Sequence, residues 1–280
     1  MRLKIPIKKE KLEELYIQRG YSPKKIAKVF HCHSVTILNR LKEFKIQIRS
    51  NSESRMRYKK YNFSGNLKEK AYILGFRLGD LNVYQTNKDS SLVVVRCHTT
   101  KWTQVKLLRG IFSRYGKVTV SVSKYGMNVN CYLNKSFKFL LPKITKIPNW
   151  VEENEDIAFS FIAGYTDAEG NFLLNQSKAR FKIDSYDTEI LSWMVEWLSK
   201  KNIRIKFRRI AKKGDRRPNG TSFKSDLLRL NVNEAVSLLN FIRGIKPFSL
   251  HKERIDNILI CERNILQRIK NGTVKYGFAK

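Results

Sequence analysis

The chain is expected to fold as a duplicated α+β protein: two pseudo-two-fold-related αββαββα units, each with an antiparallel sheet, preceded by a small all-α helix-turn-helix domain. Three observations carry that expectation. Apolar residues recur at helical spacing in three short segments before residue 45. A glycine-and-acid motif then occurs twice, 89 residues apart, and runs of period-two alternation follow each copy.

The segment from Lys9 to Phe44 reads helix, turn, helix, turn, helix. Leu12, Leu15 and Tyr16 recur on one face until Gly20 stops the run. "SPKKIAKVF" restarts it with Ser22 as cap and Pro23 at the first helical position, where a missing N–H costs nothing. "HSVTILNRLKEF" gives a third helix with Ser34 as cap and Val35, Leu38 and Leu41 on one face. Thr36, Asn39 and Arg40 then point outward, as in a helix lying in a DNA major groove. Residues 1–50 are assigned to this domain. "HCH" at 31–33 lacks the further ligands that zinc needs, and Cys32, Cys97, Cys131 and Cys261 have no paired spacing. Residues 51–67 are polar, basic and unperiodic; they read as a linker, either solvated or tracking a phosphate backbone.

The repeat begins at "AYILGFRLGDLNV", residues 71–83, and returns as "FIAGYTDAEGNF", residues 161–172. Gly75 falls on Gly164, Gly79 on Ala168 and Asp80 on Glu169. In the first copy, residues 68–150, "SLVVVRCH", the helical "KWTQVKLLRGIFSRYG", "KVTVSVS" and "MNVNCYL" follow. In the second, residues 151–280, "ARFKID", "TEILSWMVEWLSKKN", "IRIKFRRI", "SDLLRLNVN" and the helical "EAVSLLNFIRGI" follow in the same succession. Alternation gives each sheet a packed face and an open one. Val118, Val120 and Val122 oppose Thr119 and Ser121; Ile205 and Phe207 oppose Arg204, Lys206 and Arg208. The open face of the second sheet gains Arg180, Lys182 and Arg229. That of the first offers Arg96, Asn128 and Asn130 with the hydroxyls.

Small residues four apart make a strip through which two helices can approach closely. If the two copies pack through these strips, Asp80 and Glu169 meet at the helix C-terminal ends. Carboxylates are unfavourable there, because backbone carbonyls already present negative charge. A hard divalent cation resolves the conflict: it takes the two carboxylates with the carbonyls of Gly79 and Ala168 and with water. Asp167 has no echo in the first copy, where Leu78 stands, and reads as a structural or capping acid.

The charge total points the same way. Lys and Arg number 56 against 24 Asp and Glu, a formal +32, and such a field self-repels unless the partner is a polyanion. No apolar run is long enough to span a membrane, and the N-terminus turns charged too early for a secretory signal, so an intracellular, cytoplasmic or nucleoid-associated protein is expected.

The two copies, "ILGFRLGDL" and "IAGYTDAEG", resemble the paired signature of LAGLIDADG homing endonucleases in their single-chain form, over roughly Lys68 to Lys270. An N-terminal helix-turn-helix is similar to arrangements in some free-standing members. The resemblance implies a monomer with internal pseudo-symmetry, whose two sheets form a saddle over double-stranded DNA. It also implies two or three Mg²⁺ ions at Asp80 and Glu169, with Mn²⁺ as a substitute, and double-strand cleavage of a long site. "KPFSLHKER" supplies the family's proline and aromatic as Pro247 and Phe248, which makes Lys252 the basic residue near the scissile phosphates; "LLPKITKIP" gives Pro142, Lys143 and Lys146 without a clean match. A solvent-organising polar position falls near Thr99 and Ser185. Leu81 replaces the first motif's terminal glycine, so Asn82 is expected to take the left-handed turn. A non-cleaving DNA-binding regulator and an RNA-binding intron maturase remain as alternatives on the same scaffold. An intein is not expected, since the chain lacks the terminal residues that inteins use.

Overall fold

The computed structural model describes residues 6–49, 58–88 and 90–275, and the chain divides into two compact units, one ending at Lys59 and the other starting at Lys60. No helix among the described residues is long and apolar enough to cross a membrane.

The first unit holds three helical segments: α1 (Lys9–Glu13), which continues through a π-helical turn at Glu14–Gln18, α2 (Pro23–Val29) and α3 (Ser34–Glu43). Ser22 caps α2, its hydroxyl accepting from Lys25 N at 3.2 Å. For α3 the cap is His33 rather than Ser34: its Nδ1 accepts from Val35 N at 3.4 Å. The buried stripe of α3 is Ile37 and Leu41, with Leu38 at its margin, whereas Val35 is exposed in the first turn. These residues close on Leu12, Leu15, Tyr16, Ile26 and Ala27. Arg49 ties the unit together. Its guanidinium lies 4.2 Å over the Tyr16 ring and donates to the carbonyls of Gly20 and Tyr21, while its own N–H donates to the Tyr16 hydroxyl at 2.8 Å.

Part of the expected linker, residues 51–57, lies outside the described residues. Its later part is packed. Tyr61 N donates to Tyr115 O at 2.9 Å, and Phe63 N to the Ser136 hydroxyl at 2.8 Å. The Phe63 ring sits among Tyr115, Phe137 and Phe139 with centroid separations of 5.5 to 5.6 Å. Aromatic burial draws this stretch onto the second unit, which polar composition alone did not suggest.

The second unit runs α4 (Leu67–Gly79), β1 (Asn82–Tyr84), β2 (Leu92–Thr99), α5 (Trp102–Phe112), β3 (Lys117–Ser123) and β4 (Gly126–Asn134), then a 3-10 segment, Lys135–Leu140. After the short α6 (Asn149–Glu152), the order repeats as α7 (Glu155–Glu169), β5 (Gly170–Asn175), β6 (Lys178–Ser185), α8 (Thr188–Ser199), β7 (Lys206–Ala211), β8 (Leu227–Val232) and α9 (Ala235–Ile245), with α10 (Lys252–Lys270) beyond. The antiparallel sheets have matching orders, β1-β2-β4-β3 and β5-β6-β8-β7. This is the duplicated α+β arrangement expected of the LAGLIDADG fold. The first copy departs at its end, where the 3-10 segment replaces a third helix and prolines at 142 and 148 prevent extension.

Alternation holds best on the inner strands. Met127, Val129, Cys131 and Leu133 of β4 are buried, as are Ala179, Phe181 and Ile183 of β6. At the edge it fades: Val118 and Val120 pack on the core, but Val122, beside the hairpin turn, is 69% exposed. Arg204 precedes β7 instead of belonging to it, and its N–H donates to the Ser237 hydroxyl. The expected left-handed turn at Asn82 is absent. Asp80 keeps a right-handed helical backbone, and Asn82 already pairs with Arg96 as β1.

Between the sheets, α4 and α7 meet through their small residues. A Cβ on Gly75 would lie 2.1 Å from Phe161 O, and one on Gly164 would lie 2.1 Å from Tyr72 O. At Gly79 it would lie 2.6 Å from the Ala168 methyl. Backbone therefore touches backbone, and no side chain fits. Intrinsic helix preference favours alanine over glycine by about 1 kcal/mol, so the sign of the substitution reports the packing. Gly75→Ala and Gly164→Ala should destabilise the chain by about 3 kcal/mol each, as overpacking does. Gly110→Ala on α5, where nothing lies within 4 Å of the new methyl, should stabilise it by about 1 kcal/mol. Urea denaturation of the three variants checks the contrast.

Candidate metal centre and nucleic-acid interface

The glycine strip fixes where the two motif acids lie. Asp80 follows the last residue of α4 and Glu169 is the last residue of α7. The side chain of Glu169 runs past Gly79: a Cβ there would meet its Cγ at 2.8 Å and its Oε1 at 2.9 Å. Glycine thus keeps open the space that the second carboxylate occupies. Asp80 Oδ2 accepts from Gln104 Nε2 at 2.7 Å.

The electrostatics are those of a strained pair. Desolvation pushes the Asp80 carboxyl above its ordinary value, against the hydrogen bond from Gln104 and the charge of Arg254. Glu169 reaches solvent yet is hemmed in by protein; desolvation raises its carboxyl first, then the negative charges of Asp80 and Asp187, while Lys143 and Arg254 pull it back. Two negative helix ends add to this field.

Two side chains that act on the acids, Gln104 and Arg254, lay outside the sequence expectation. Gln104 is buried on α5 in register with Leu108 and Ile111, and a glutamine on an apolar stripe was the available signal that it has a buried partner. Of the two positions expected near this role, Thr99 lines the same cleft as Asp80, its Oγ1 accepting from Lys101 N, and Ser185 Oγ accepts from Tyr165 OH and Asp187 N. Lys143 pairs with Asp187 at 2.9 Å on the Glu169 side. Arg254, in place of Lys252, is the α10 cation that acts on both acids. Lys252 pairs with Asp256 at 2.8 Å and lines a separate apolar cavity of about 690 Å³ beneath α4 and α5. Two residues along a helix turn about 200°, so the two cations face opposite ways.

Asp167 is what aims Arg254. It is 1% exposed, and its Oδ2 accepts from Tyr72 OH at 2.7 Å, Leu250 N at 2.7 Å and His251 N at 3.0 Å. Its backbone carbonyl accepts from Arg254 Nε at 3.3 Å. The acid that reads as a cap of its own helix instead holds the start of α10. Asp80, Gln104, Asp167, Ala168, His251 and Arg254 share one cleft of about 360 Å³ with the end of β2.

The donor set is all oxygen: two carboxylates and the carbonyls at two helix ends, which have no intrahelical partners. It matches Mg²⁺, which takes one or two carboxylates and completes its shell with water and substrate phosphate. It does not match a metal that needs three or four protein ligands; among the described residues no three His, Cys, Asp or Glu side chains gather to hold one.

The open faces differ between sheets. On the first, Arg96 Nε donates to Asn130 Oδ1 at 2.9 Å and Nη2 to Tyr84 OH at 3.1 Å, and His98 Nδ1 lies 3.2 Å from Asn128 Oδ1. Thr119 and Ser121 stand across from Asn130 and Asn128 on β3. On the second, Lys182 and Lys206 flank Asn231, and Arg208 stands opposite Arg229. Arg229 is held by both oxygens of Asp184, and Arg180 donates to Asn233 O. On α3 of the first unit Asn39 is exposed, while Thr36 and Arg40 are half-buried and Arg40 pairs with Glu43.

No family model matches the chain. An uncharacterized protein of Methanocaldococcus jannaschii is 24% identical over 194 residues, spanning 66% of this chain and 69% of its own. Among solved structures, I-DmoI in complex with DNA and Ca is similar at 15% identity over 70% of this chain and 100% of that one, with a TM-score of 0.48. The homing endonuclease I-WcaI bound to its DNA recognition sequence is similar at 13% identity, over 68% and 86%, with a TM-score of 0.48. Full-length DUF199/WhiA from Thermatoga maritima is similar at 15% identity, over 76% and 69%, with a TM-score of 0.44.

The raised carboxyls have a measurable consequence. Both sit above their ordinary values of 3.8 and 4.5 in the folded chain, so the folded state binds these protons more tightly than the unfolded one. Stability from this source is full at low pH and is lost as pH climbs through the ordinary and then the folded values. In metal-free buffer, Asp80→Asn and Glu169→Gln should therefore each raise the melting temperature by a few degrees at neutral pH, and the gain should vanish by about pH 3. Added Mg²⁺ should raise the melting temperature of the unsubstituted chain and not that of the double variant.

Proposed function

We propose that this chain is a site-specific DNA endonuclease that makes a double-strand break with Mg²⁺, acting as a monomer with internal pseudo-symmetry. The observation that carries the proposal is the convergence of Asp80 and Glu169, one from each repeat, at the paired ends of α4 and α7, where desolvation raises both carboxyls and the charge of Asp80 raises Glu169 further. A bound divalent cation relieves that cost, and the basic open face of the second sheet, with Arg180, Lys182, Lys206, Arg208 and Arg229, suits a DNA backbone.

Asp80 and Glu169, with the carbonyls of Gly79 and Ala168, hold the ions. When bound, Mg²⁺ supplies the Lewis acidity that phosphodiester hydrolysis needs. Gln104 engages one carboxylate oxygen of Asp80, a residue that lines the cleft, and so orients the carboxylate. Arg254, aimed by Asp167, sets a positive charge beside both acids, placed to meet a scissile phosphate. Lys143 offers a second cation on the Glu169 side. Lys252, with its own partner on the outer face, is at most a backbone contact. We assign base and backbone contacts to the open faces of both sheets. In the first unit we assign Thr36, Asn39 and Arg40 to DNA, as the outward side of a helix-turn-helix reader.

Purified protein should cut a duplex carrying its site when Mg²⁺ is added and stop when the metal is chelated. Asp80→Asn or Glu169→Gln should lower cleavage by at least about 10³-fold while binding persists, the scale seen when a group that stabilises developing charge is lost. Gln104→Ala should cost about 10- to 100-fold, as loss of a group orienting a metal ligand does. Tight binding of a site that neither Mg²⁺ nor Mn²⁺ allows the chain to cut would instead make it a non-cleaving DNA-binding protein; preference for RNA over duplex DNA would favour the maturase alternative. Removing residues 1–59 should shorten the footprint and weaken binding but leave Mg²⁺-dependent cutting at high protein concentration; an unchanged footprint would remove the reader role from the first unit. The cut belongs before Tyr61, since Tyr61 and Phe63 are part of the packing of the first repeat.

A further inference from the structure

The two halves of the second unit differ most in a feature the motif does not involve. β3 and β4 are joined by two residues, Lys124 and Tyr125, whereas β7 and β8 are joined by the fifteen residues 212–226. That connection is built as an arm. Gly214 N donates to Phe223 O and Phe223 N to Asp215 O, both at 2.9 Å, and Arg217 N donates to Thr221 O at 2.7 Å. Arg216 and Ser222 form an antiparallel bridge. The Arg217 guanidinium lies 4.5 Å over the Phe223 ring and donates to Tyr186 OH at 2.8 Å, which pins the arm to the end of β6.

We propose that this arm, with the open face of β6 and β7, is a clamp on the phosphate backbone of duplex DNA, so that the second repeat supplies affinity while the first sheet supplies sequence discrimination. The inference rests on the DNA-binding part of the reading above. The arm holds five cations and two acids, and both acids are used internally. Asp215 accepts from Lys212 N, and Asp226 accepts from Lys213 N and pairs with Arg209. The side chains of Lys212, Lys213, Arg216 and Lys224 are exposed and make no hydrogen bond or ion pair among the described residues. Those of Lys182, Lys206 and Arg208 on the adjoining face are likewise unengaged. An unengaged cation on an ordered backbone is suited to phosphates, which carry no sequence.

The first sheet has the opposite character. Arg96, Asn130 and Tyr84 hold one another, as do His98 and Asn128, at fixed positions of adjacent strands. Their donors and acceptors are few in charge and fixed in place, which is what reading base edges demands.

The test uses the full-length chain without divalent metal and two probes: a pool of randomised duplexes for selection and one duplex of scrambled sequence for affinity against salt. Substituting Lys212, Lys213, Arg216 and Lys224 by alanine should weaken binding to selected and scrambled duplexes by the same factor and leave the selected sequence unchanged. The slope of log affinity against log salt should fall by about one for each phosphate that the arm no longer neutralises. Asn128→Ala with Asn130→Ala should leave the salt slope in place and lower preference for the selected over the scrambled duplex by about 10- to 100-fold, with the effect confined to one half of the site. The milder pair Lys213→Gln with Lys224→Gln repeats the arm test should the fourfold variant fold poorly. An altered selected sequence in the arm variants, an unchanged slope, or equal weakening on both probes from the asparagine pair would overturn the proposal. If the unsubstituted chain enriches no sequence, the site-specific reading falls, while the slope on the scrambled duplex still decides whether the arm holds DNA.

Discussion

The carbonyl oxygens of Phe161 and Tyr72 occupy the space where Gly75 and Gly164 would carry their side chains, and everything that gives the second unit its site depends on that contact. Two helices whose backbones touch have no freedom to slide, because each carbonyl sits in a gap one residue wide. Their C-terminal ends are therefore held side by side, and so are the acids that follow. The contact also sets the sheets, since β1 and β5 continue within two residues of the helix ends. At Gly79 the same device operates once more, with the Glu169 side chain filling the gap in place of backbone.

What the contact creates is an electrostatic cost that the rest of the cleft is arranged around. Carboxylates beside negative helix ends, partly removed from water, favour protonation or a cation. The chain answers with Gln104 on one acid, with Arg254 beside both and with the Lys143 to Asp187 pair beside the other. Asp167 connects this arrangement to the helix pair. By accepting two backbone N–H groups at the start of α10 it makes the direction of Arg254 a consequence of where α7 ends. The repeat is therefore symmetric in backbone and asymmetric in charge. The same asymmetry runs outward into the sheets, where one face is cross-linked by amides and the other, beside the held Arg180 and Arg229, presents Lys182, Lys206 and Arg208 without a hydrogen-bond partner among the described residues.

Periodicity and spacing carried a large part of this. The helix pair, the doubled motif and its acids follow from glycine spacing, since only small residues permit the approach. Inner strands such as β4 and β6 alternate cleanly because both their neighbours are strands and one face meets helices. Legibility failed where a partner lies far off in sequence. Val122 alternates correctly but sits beyond the helices; Phe63 lies in a polar stretch but finds Phe137 and Phe139. His33 takes the capping role that Ser34 was expected to fill, because either neighbour can supply an acceptor at a helix start.

By itself the sequence determined the duplication, the two close-packing helices and the pair of carboxylates, since each of these rests on residue size or charge at a fixed local interval. The hydrogen bond from Gln104 to Asp80, the choice of Arg254 over Lys252, and the use of Asp167 as an anchor for α10 were decided only in three dimensions. Those groups come from elements tens of residues apart, and which of them faces the cleft is set by the rotation of a helix about its own axis. Spacing along a chain fixes which residues share a face; only packing fixes where that face points.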